Sequence, residues 1–298
     1  MSKKILFFGS GPVAAESLQL LAQDFEIEAV ITKPRPAHHK GDVPVVELAE
    51  ELGFKTVTAS NKKELDDLFS GKPFESDLAI LIDFGIIVSQ KVIDYFPLGI
   101  INSHFSLLPQ WRGADPITFS ILSGQKNTGV SLMLLAEAMD EGPLLAYGEY
   151  ELSTTVTTPE LTQGLIELSH ELLKNVVPQY VAGAVEPAPQ TITGHATSYS
   201  RKLTKDDGVL DFNKSAAELE REVRAYLGWP RSRTTIGDAQ VVITQAHVIE
   251  GSGKLGQLWT EAKQLGFYTK DGILVIDKLV PAGKKEMSSE GFLAGYKF

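Results

Sequence analysis

The sequence predicts an α/β protein in which a mostly parallel β-sheet covered by helices is followed by a small all-β domain. Three observations carry that prediction. The first half alternates short β-rich apolar runs with segments of helical period, the rhythm of a sheet packed on both faces. A stretch rich in Pro, Thr, Ser and Gly then breaks every period, and the residues beyond it are mostly alternating runs. At 298 residues the chain also passes the size of about 250–300 residues at which one core stops growing, so two domains are expected.

Taken in order, 4–8, 27–31, 55–58, 78–84 and 99–104 read as strands, and 14–23, 45–52, 62–69 and 89–95 as helices. Two further apolar runs, 129–136 and 144–152, extend the sheet. A long amphipathic helix opens at Thr158-Pro159, where proline suits a first helical turn, and runs towards Val177. These elements define a first domain over 1–182, with 183–204 as a linker around Pro187-Ala188-Pro189 and 205–298 as the second domain. The second domain begins with one helix over 215–227, opened by Ser215 with Glu218 three residues on, the pattern of a capping box. Then 241–249 alternates, and 266–280 carries Asp271-Gly272 between apolar runs, a hairpin signal. A small β-barrel of the oligonucleotide-binding type is expected there, with a half-open sheet as the alternative.

Composition excludes several classes. With 43% hydrophobic and 22% charged residues the chain has the profile of an ordinary globular protein. It has no cysteine, so disulfides and thiolate zinc sites are out, and a reducing cytoplasm is the expected compartment. The apolar run at the N-terminus ends at Gly9, too short for a signal peptide. No stretch approaches the ~20 apolar residues of a membrane helix. The net charge of −10 is unevenly spread: 1–200 holds 13 Lys+Arg against 25 Asp+Glu, and 201–298 holds 15 against 13. The second domain is therefore the better candidate for meeting a phosphate backbone.

The densest chemistry lies in 99–113. On a strand, Asn102 and His104 are two apart and share a face. Pro109 and Gly113 then force a loop, which puts both at the carboxyl end of the strand, where open α/β sheets bind ligands. An amide and an imidazole converging there suit stabilisation of an oxyanion and movement of a proton. A second cluster, 136–143, also follows a strand and brings carboxylates to a strand end; an aspartate there, Asp140, is a residue type that can orient His104, though acidic loop residues are more often solvated surface. The turn Gly9-Ser10-Gly11-Pro12-Val13-Ala14 matches G-x-G-x-x-A and raises an NAD-dependent oxidoreductase as a rival. Against it, the second strand ends in Ile31-Thr32-Lys33 with no carboxylate for a ribose, and Pro12 removes a backbone donor. A tight strand-to-helix turn is the preferred reading. His170, His195 and His247 sit where structural roles dominate, and His38-His39 lies in a short basic loop without a third metal ligand.

The run Asn102-x-His104-x-Ser106-Leu107-Leu108-Pro109, with Trp111-Arg112-Gly113, Gly129-Val130 and Asp140-x-Gly142, resembles the formyltransferases that use 10-formyltetrahydrofolate. Residues 199–203, 209–212, Arg224-Ala225-Tyr226 with Gly228-Trp229-Pro230, and 281–288 resemble the second domain of those members that formylate methionyl-tRNA. That resemblance implies a Rossmann-like catalytic domain, an OB-like barrel that helps hold initiator methionyl-tRNA, a folate co-substrate, no metal, no membrane and a monomer. A sugar-nucleotide N-formyltransferase shares the same core and is the nearest alternative.

Carried over, the resemblance makes Asn102, His104 and Asp140 the catalytic set. Ser106, Leu107, Leu108 and Pro109 would contribute to the folate site, with Phe84, Gly85, Ile86, Ile87 and Val88 lining a pterin pocket. Lys33, Arg35, Lys40, Arg112, Arg201 and Lys202 would meet the tRNA. Three departures stand out. The family usually has Gly-Thr-Pro where this chain has Gly9-Ser10-Gly11-Pro12, and Ala-Tyr-Gly where it has Asp83-Phe84-Gly85. Its longer Gly-Lys-Lys loop shrinks here to 33–43.

Overall fold

The structure, a computed structural model, describes residues 4–35 and 43–296. Its contacts divide the chain into two compact units, Met1–Pro116 with Asn127–Glu151 and Thr162–Tyr199, and Ile117–Lys126 with Leu152–Leu161 and Ser200–Phe298. By these contacts most of the segment 183–204 falls in the first unit, and Ile117–Lys126 and Leu152–Leu161 fall in the second.

The elements run β1 (Lys4–Phe8), α1 (Pro12–Leu21), β2 (Glu26–Thr32), α2 (Pro44–Glu51), β3 (Thr56–Thr58), α3 (Lys62–Leu68), β4 (Ala79–Leu81), α4 (Gln90–Ile93) and β5 (Ile100–His104). There follow β6 (Arg112–Gly113), α5 (Pro116–Ser123), β7 (Asn127–Leu134), β8 (Leu144–Glu151), α6 (Thr158–Val181) and β9 (Tyr199–Ser200). The remaining elements are α7 (Ala216–Ala225), β10 (Ser232–Ile236), β11 (Ala239–Ile249), β12 (Leu258–Glu261), β13 (Gln264–Tyr268), β14 (Ile273–Pro281), β15 (Met287–Ser288) and α8 (Ser289–Gly295).

The first unit is built on a sheet in the order β3-β2-β1-β4-β5-β7-β8. Its first five strands are parallel, and β7 and β8 close the edge antiparallel. Strand order reverses between β1 and β4, the crevice where doubly wound sheets take their ligands. β1 reads Lys-Ile-Leu-Phe-Phe and buries its last four residues because both faces are covered. On one face Phe8 meets Phe69, Phe84 and Phe96 at ring separations of 5.9, 5.3 and 6.1 Å. These rings anchor a cluster that includes Leu6, Ile31 and Ile100.

Two elements depart from the expected reading. The strand expected over 78–84 shortens to Ala79–Leu81, because Asp83 (φ 48°) and Gly85 (φ 66°) turn left-handed and end the ladder. Helix α5 is not expected from its residues, since Pro-Ile-Thr-Phe-Ser-Ile-Leu-Ser has no clear polar face.

In the second unit, α7 opens with the expected capping box, Ser215 and Glu218 each bonding the other's backbone N–H. It packs Leu219 and Val223 into a core with Ile243, Leu265, Leu274 and Phe292. The sheet runs β10-β11-β14-β13-β12, with β15 also on β14, and every pairing is antiparallel. The second unit is thus the small antiparallel β domain expected, and among the described residues its ladders leave β10 and β12 unjoined, as in a partly open barrel. The expected hairpin turn falls between β13 and β14, where Gly272 (φ 82°) takes the left-handed position. No helix among the described residues is long and apolar enough to cross a membrane.

Candidate active site

β5 delivers the amide and the imidazole. Its register with β4 pairs Leu81 with Asn102, and its register with β7 pairs His104 with Ser131. Both Asn102 and His104 are buried, at 8% and 7% exposure. Burial of this kind normally demands a partner. Yet the side chain of Asn102 makes no hydrogen bond to any described residue, so its amide remains free for a ligand.

His104 is held from one side. Its Nε2 lies 2.9 Å from the carbonyl oxygen of Trp111, which can only accept, so Nε2 carries the hydrogen and donates. The remaining nitrogen, Nδ1, faces Oδ1 of Asp140 at 3.9 Å. A proton gained by the ring therefore goes onto Nδ1, beside a carboxylate that stabilises the cation.

Asp140 is positioned as tightly. It is left-handed, φ 54°, a conformation that costs an ordinary residue about 1 kcal/mol and is found for aspartate more often than for most. The Gly113 N–H donates to its Oδ2 at 2.7 Å. Gln190, 6% exposed, donates through Nε2 to the carbonyls of Asp140 (2.7 Å) and Gly142 (3.0 Å). The oxygen of the same amide accepts from Arg112 Nη2 at 2.7 Å, and Arg112 Nη1 donates to Glu141 at 2.8 Å. Gln190 thus ties the carboxylate loop to the loop after β5. Nothing in the sequence singles it out, for it lies in a Pro- and Thr-rich stretch without a period. Ser131 is equally hidden. Its Oγ donates to the Ser106 carbonyl (2.7 Å) and accepts from the Leu108 N–H (2.9 Å), fixing the chain just past His104. A serine inside the apolar run of β7 is its only signal.

The other expected residues take varied positions. Ser106, Leu107 and Leu108 are fully buried; Ser106 donates to the Gln110 carbonyl at 2.5 Å, and Leu108 packs on Met133 and Leu144. Their side chains hold the loop, which leaves the main chain as the part able to meet a donor. Phe84 and Val88 face the core, whereas Ile87 is 70% exposed. Lys33 reaches the same loop: a methyl group at Gly85 would come within 2.7 Å of its Nζ. Arg35 pairs with Glu47 at 2.9 Å, and Arg201 is paired with Asp207, which holds that carboxyl far below its usual range. Lys202 is exposed. Lys40, with His38 and His39, lies outside the described residues.

The Gly9–Ala14 turn is filled from within. A Cβ at Gly11 would lie 1.9 Å from Oδ2 of Asp83, so a carboxylate occupies the space at the start of α1 where a dinucleotide phosphate would sit. Asp83 borders the crevice, its side chain reaching solvent while surrounding chain crowds it. Burial raises its carboxyl to about 6, with the charge of Asp115 adding to the rise and that of Lys33 opposing it.

The sequence matches the family models for formyl transferase over residues 3–177 and for the formyl transferase C-terminal domain over 202–297. The chain belongs to the formyl transferase family. It is 32% identical over 99% of its length to a methionyl-tRNA formyltransferase of Myxococcus xanthus, covering 95% of that relative. A methionyl-tRNA formyltransferase of Pseudoalteromonas translucida is 34% identical over 98% of the chain and 94% of the relative. In fold it is similar to an N-formyltransferase from Helicobacter canadensis solved with folinic acid and dTDP-3-aminofucose. That likeness has a TM-score of 0.69 at 17% identity and covers 96% of this chain and 100% of the other.

Proposed function

We propose that this chain transfers the formyl group of 10-formyltetrahydrofolate to the free amino group of initiator methionyl-tRNA. The observation that carries the chemistry is the buried amide of Asn102, without a protein partner, on the same strand face as an imidazole whose Nδ1 looks onto Asp140. The acceptor is chosen on relatives matched along nearly their whole length and named for methionyl-tRNA. The sugar N-formyltransferase neighbour, at 17% identity, speaks to the fold.

The residues fit a folate donor, since an amide with no hydrogen bond to the described residues and the apolar Ile87 border the loops after β4 and β5. Such a donor supplies an activated formyl carbon. Asn102 donates to the oxygen on which charge develops, and a buried donor of that kind contributes on the order of 10²- to 10³-fold in rate. His104 accepts a proton at Nδ1 from the attacking amine while Asp140 holds the resulting cation, and the ring returns that proton to the folate nitrogen as its bond to the formyl carbon breaks. The amine needs little help, because α-amino groups titrate at about 7.7–8.0. Residues 1–182 form the catalytic part in this reading, and 205–298 assist in holding tRNA. Lys33, Lys202 and the main chain of 106–109 are proposed contacts for the substrates.

The test is incubation with 10-formyltetrahydrofolate and charged initiator tRNA. Formylmethionine is the expected product. Formylation of an amino-sugar nucleotide in its place would transfer the assignment to the sugar branch.

A further inference from the structure

We infer that a cleft in the second unit, between α7, the turn after α5 and β11, is a pocket for a backbone phosphate of the tRNA, a reading that rests on the function proposed above. The cavity has a volume of about 530 Å³ and is lined by Lys126, Arg221, Arg224, Glu220 and His247 among others. On α7, Arg224 lies three residues from Arg221 and four from Glu220, so it neighbours both on the helix surface.

The charges in the cleft are not equivalent. Glu220 and Arg224 satisfy each other through two contacts of 2.6 and 2.9 Å. Arg224 also donates to the Val156 carbonyl at 2.8 Å, so this pair is structural and neutral. Arg221 is fixed differently. Its Nε donates to the Leu122 carbonyl at 3.1 Å, and its guanidinium lies on Gly124, where a Cβ would be 3.3 Å from Cδ, Cζ and Nε. Its terminal nitrogens have no hydrogen-bond partner among the described residues. Lys126 is exposed and has no ion-pair partner among them either. His247, held through Nδ1 by Asp277 at 2.9 Å, completes the lining.

Arg221 and Lys126, neither of them in an ion pair among the described residues, thus share one cavity in a chain of net charge −10, with Glu218 the carboxylate whose charge Arg221 meets. A pre-oriented guanidinium fork beside an exposed ammonium is the donor set of a phosphate site. The cavity is larger than one oxyanion needs, which suits a phosphate carried on a sugar chain that continues outwards. A polyanion with many such groups is the substrate already proposed.

The test measures affinity for charged initiator tRNA across a salt series, with the parent and two variants, Lys126→Glu and Arg221→Lys. Lys126→Glu alters an exposed side chain and leaves the fold unaltered. It should weaken tRNA binding on the order of tenfold at low salt and reduce the slope of log K against log salt by about one or more. KM for charged tRNA should rise while kcat is retained. Arg221→Lys keeps the charge but loses the fork, so its affinity should fall less while the salt slope is kept. Unchanged affinity and slope in Lys126→Glu, with parental tRNA binding intact, would overturn the pocket and leave the proposed function standing. A parent that binds no tRNA would overturn both. Titration with inorganic phosphate, read at the His247 ring by NMR, distinguishes the remaining case: saturation by free phosphate with tRNA binding unaffected by either variant would make this a small-anion site and sink the RNA reading.

Discussion

Nδ1 of His104 lies 3.9 Å from Oδ1 of Asp140 while its Nε2 is committed to the Trp111 carbonyl at 2.9 Å. The ring therefore has one nitrogen to protonate, and it faces one carboxylate. Asp140→Asn keeps an acceptor for the Gly113 N–H and tolerates the left-handed backbone, yet it removes the charge. Formyl transfer is expected to fall about 10²- to 10⁴-fold, nearly all of it in kcat, with the thermal midpoint close to the parent's. Steady-state kinetics beside a melting curve check this, and near-parental kcat would remove Asp140 from the chemistry.

Asn102→Ala separates function from stability in another way. The amide has no partner in the described protein, so its loss leaves no orphaned group and should cost little in folding. The rate should nevertheless drop on the order of 10²- to 10³-fold. Equal losses in kcat and kcat/KM would mark an interaction made only as charge develops; a rise in KM alone would make Asn102 a ground-state contact.

Asn102 and His104 are legible as a pair in the amino-acid order, because residues two apart on a strand share a face, and Pro109 and Gly113 end the strand just past them. The capping box of α7 is legible for a similar reason, being local chemistry at fixed spacing. Asp83 is not. Its meeting with Gly11 depends on β1 and β4 lying side by side, although 72 positions apart by number, and no periodicity reports such adjacency. Gln190 is hidden for the same reason, its partners Arg112, Asp140 and Gly142 all coming from other loops. The extent of closure of the second sheet is not legible either, because alternation identifies strands but not the pairing of the first with the last.

Asp83 gives a prediction with a definite sign. Its folded carboxyl is raised to about 6, above the ordinary value near 4. The folded state therefore binds the proton more tightly than the unfolded chain. Stability attributable to this group falls as pH rises from about 4 to about 6, and is then level. Asp83→Asn removes that fall, so the variant should exceed the parent by about 1 kcal/mol at pH 7 after allowance for solvent screening of an exposed side chain. The difference should vanish at pH 4. Denaturant melts at the two pH values decide it, and an equal gap at both would show that the carboxyl is not the cause.

The crowding at Gly11 predicts coupling. Its φ of −95° suits any residue, so the restriction is spatial: a Cβ would meet Asp83 Oδ2 at 1.9 Å. Gly11→Ala should cost about 0.5–1.5 kcal/mol, as the Asp83 side chain turns away from its rotamer. In an Asp83→Gly background, where the carboxylate is gone and the left-handed backbone at φ 48° is easily met, the same change should cost far less. A double-mutant cycle that came out additive would place the clash elsewhere.

Gln190 joins the two loops that carry the carboxylate and the strand end, and its removal should be felt in both stability and rate. Gln190→Ala strips two carbonyls, those of Asp140 and Gly142, of a donor and leaves the Arg112 fork short of an acceptor. At a site only 6% exposed the expected cost is about 2–4 kcal/mol. Gln190→Glu makes the finer distinction. It keeps an acceptor for Arg112, and strengthens it, but gives up both donations to the carboxylate loop. If those donations position Asp140, Gln190→Glu should lose kcat about as Asp140→Asn does, together with part of the thermal midpoint, since a carboxylate oxygen replaces the donor facing two carbonyls. If the residue only fills space and holds Arg112, kcat should stay at the parental level.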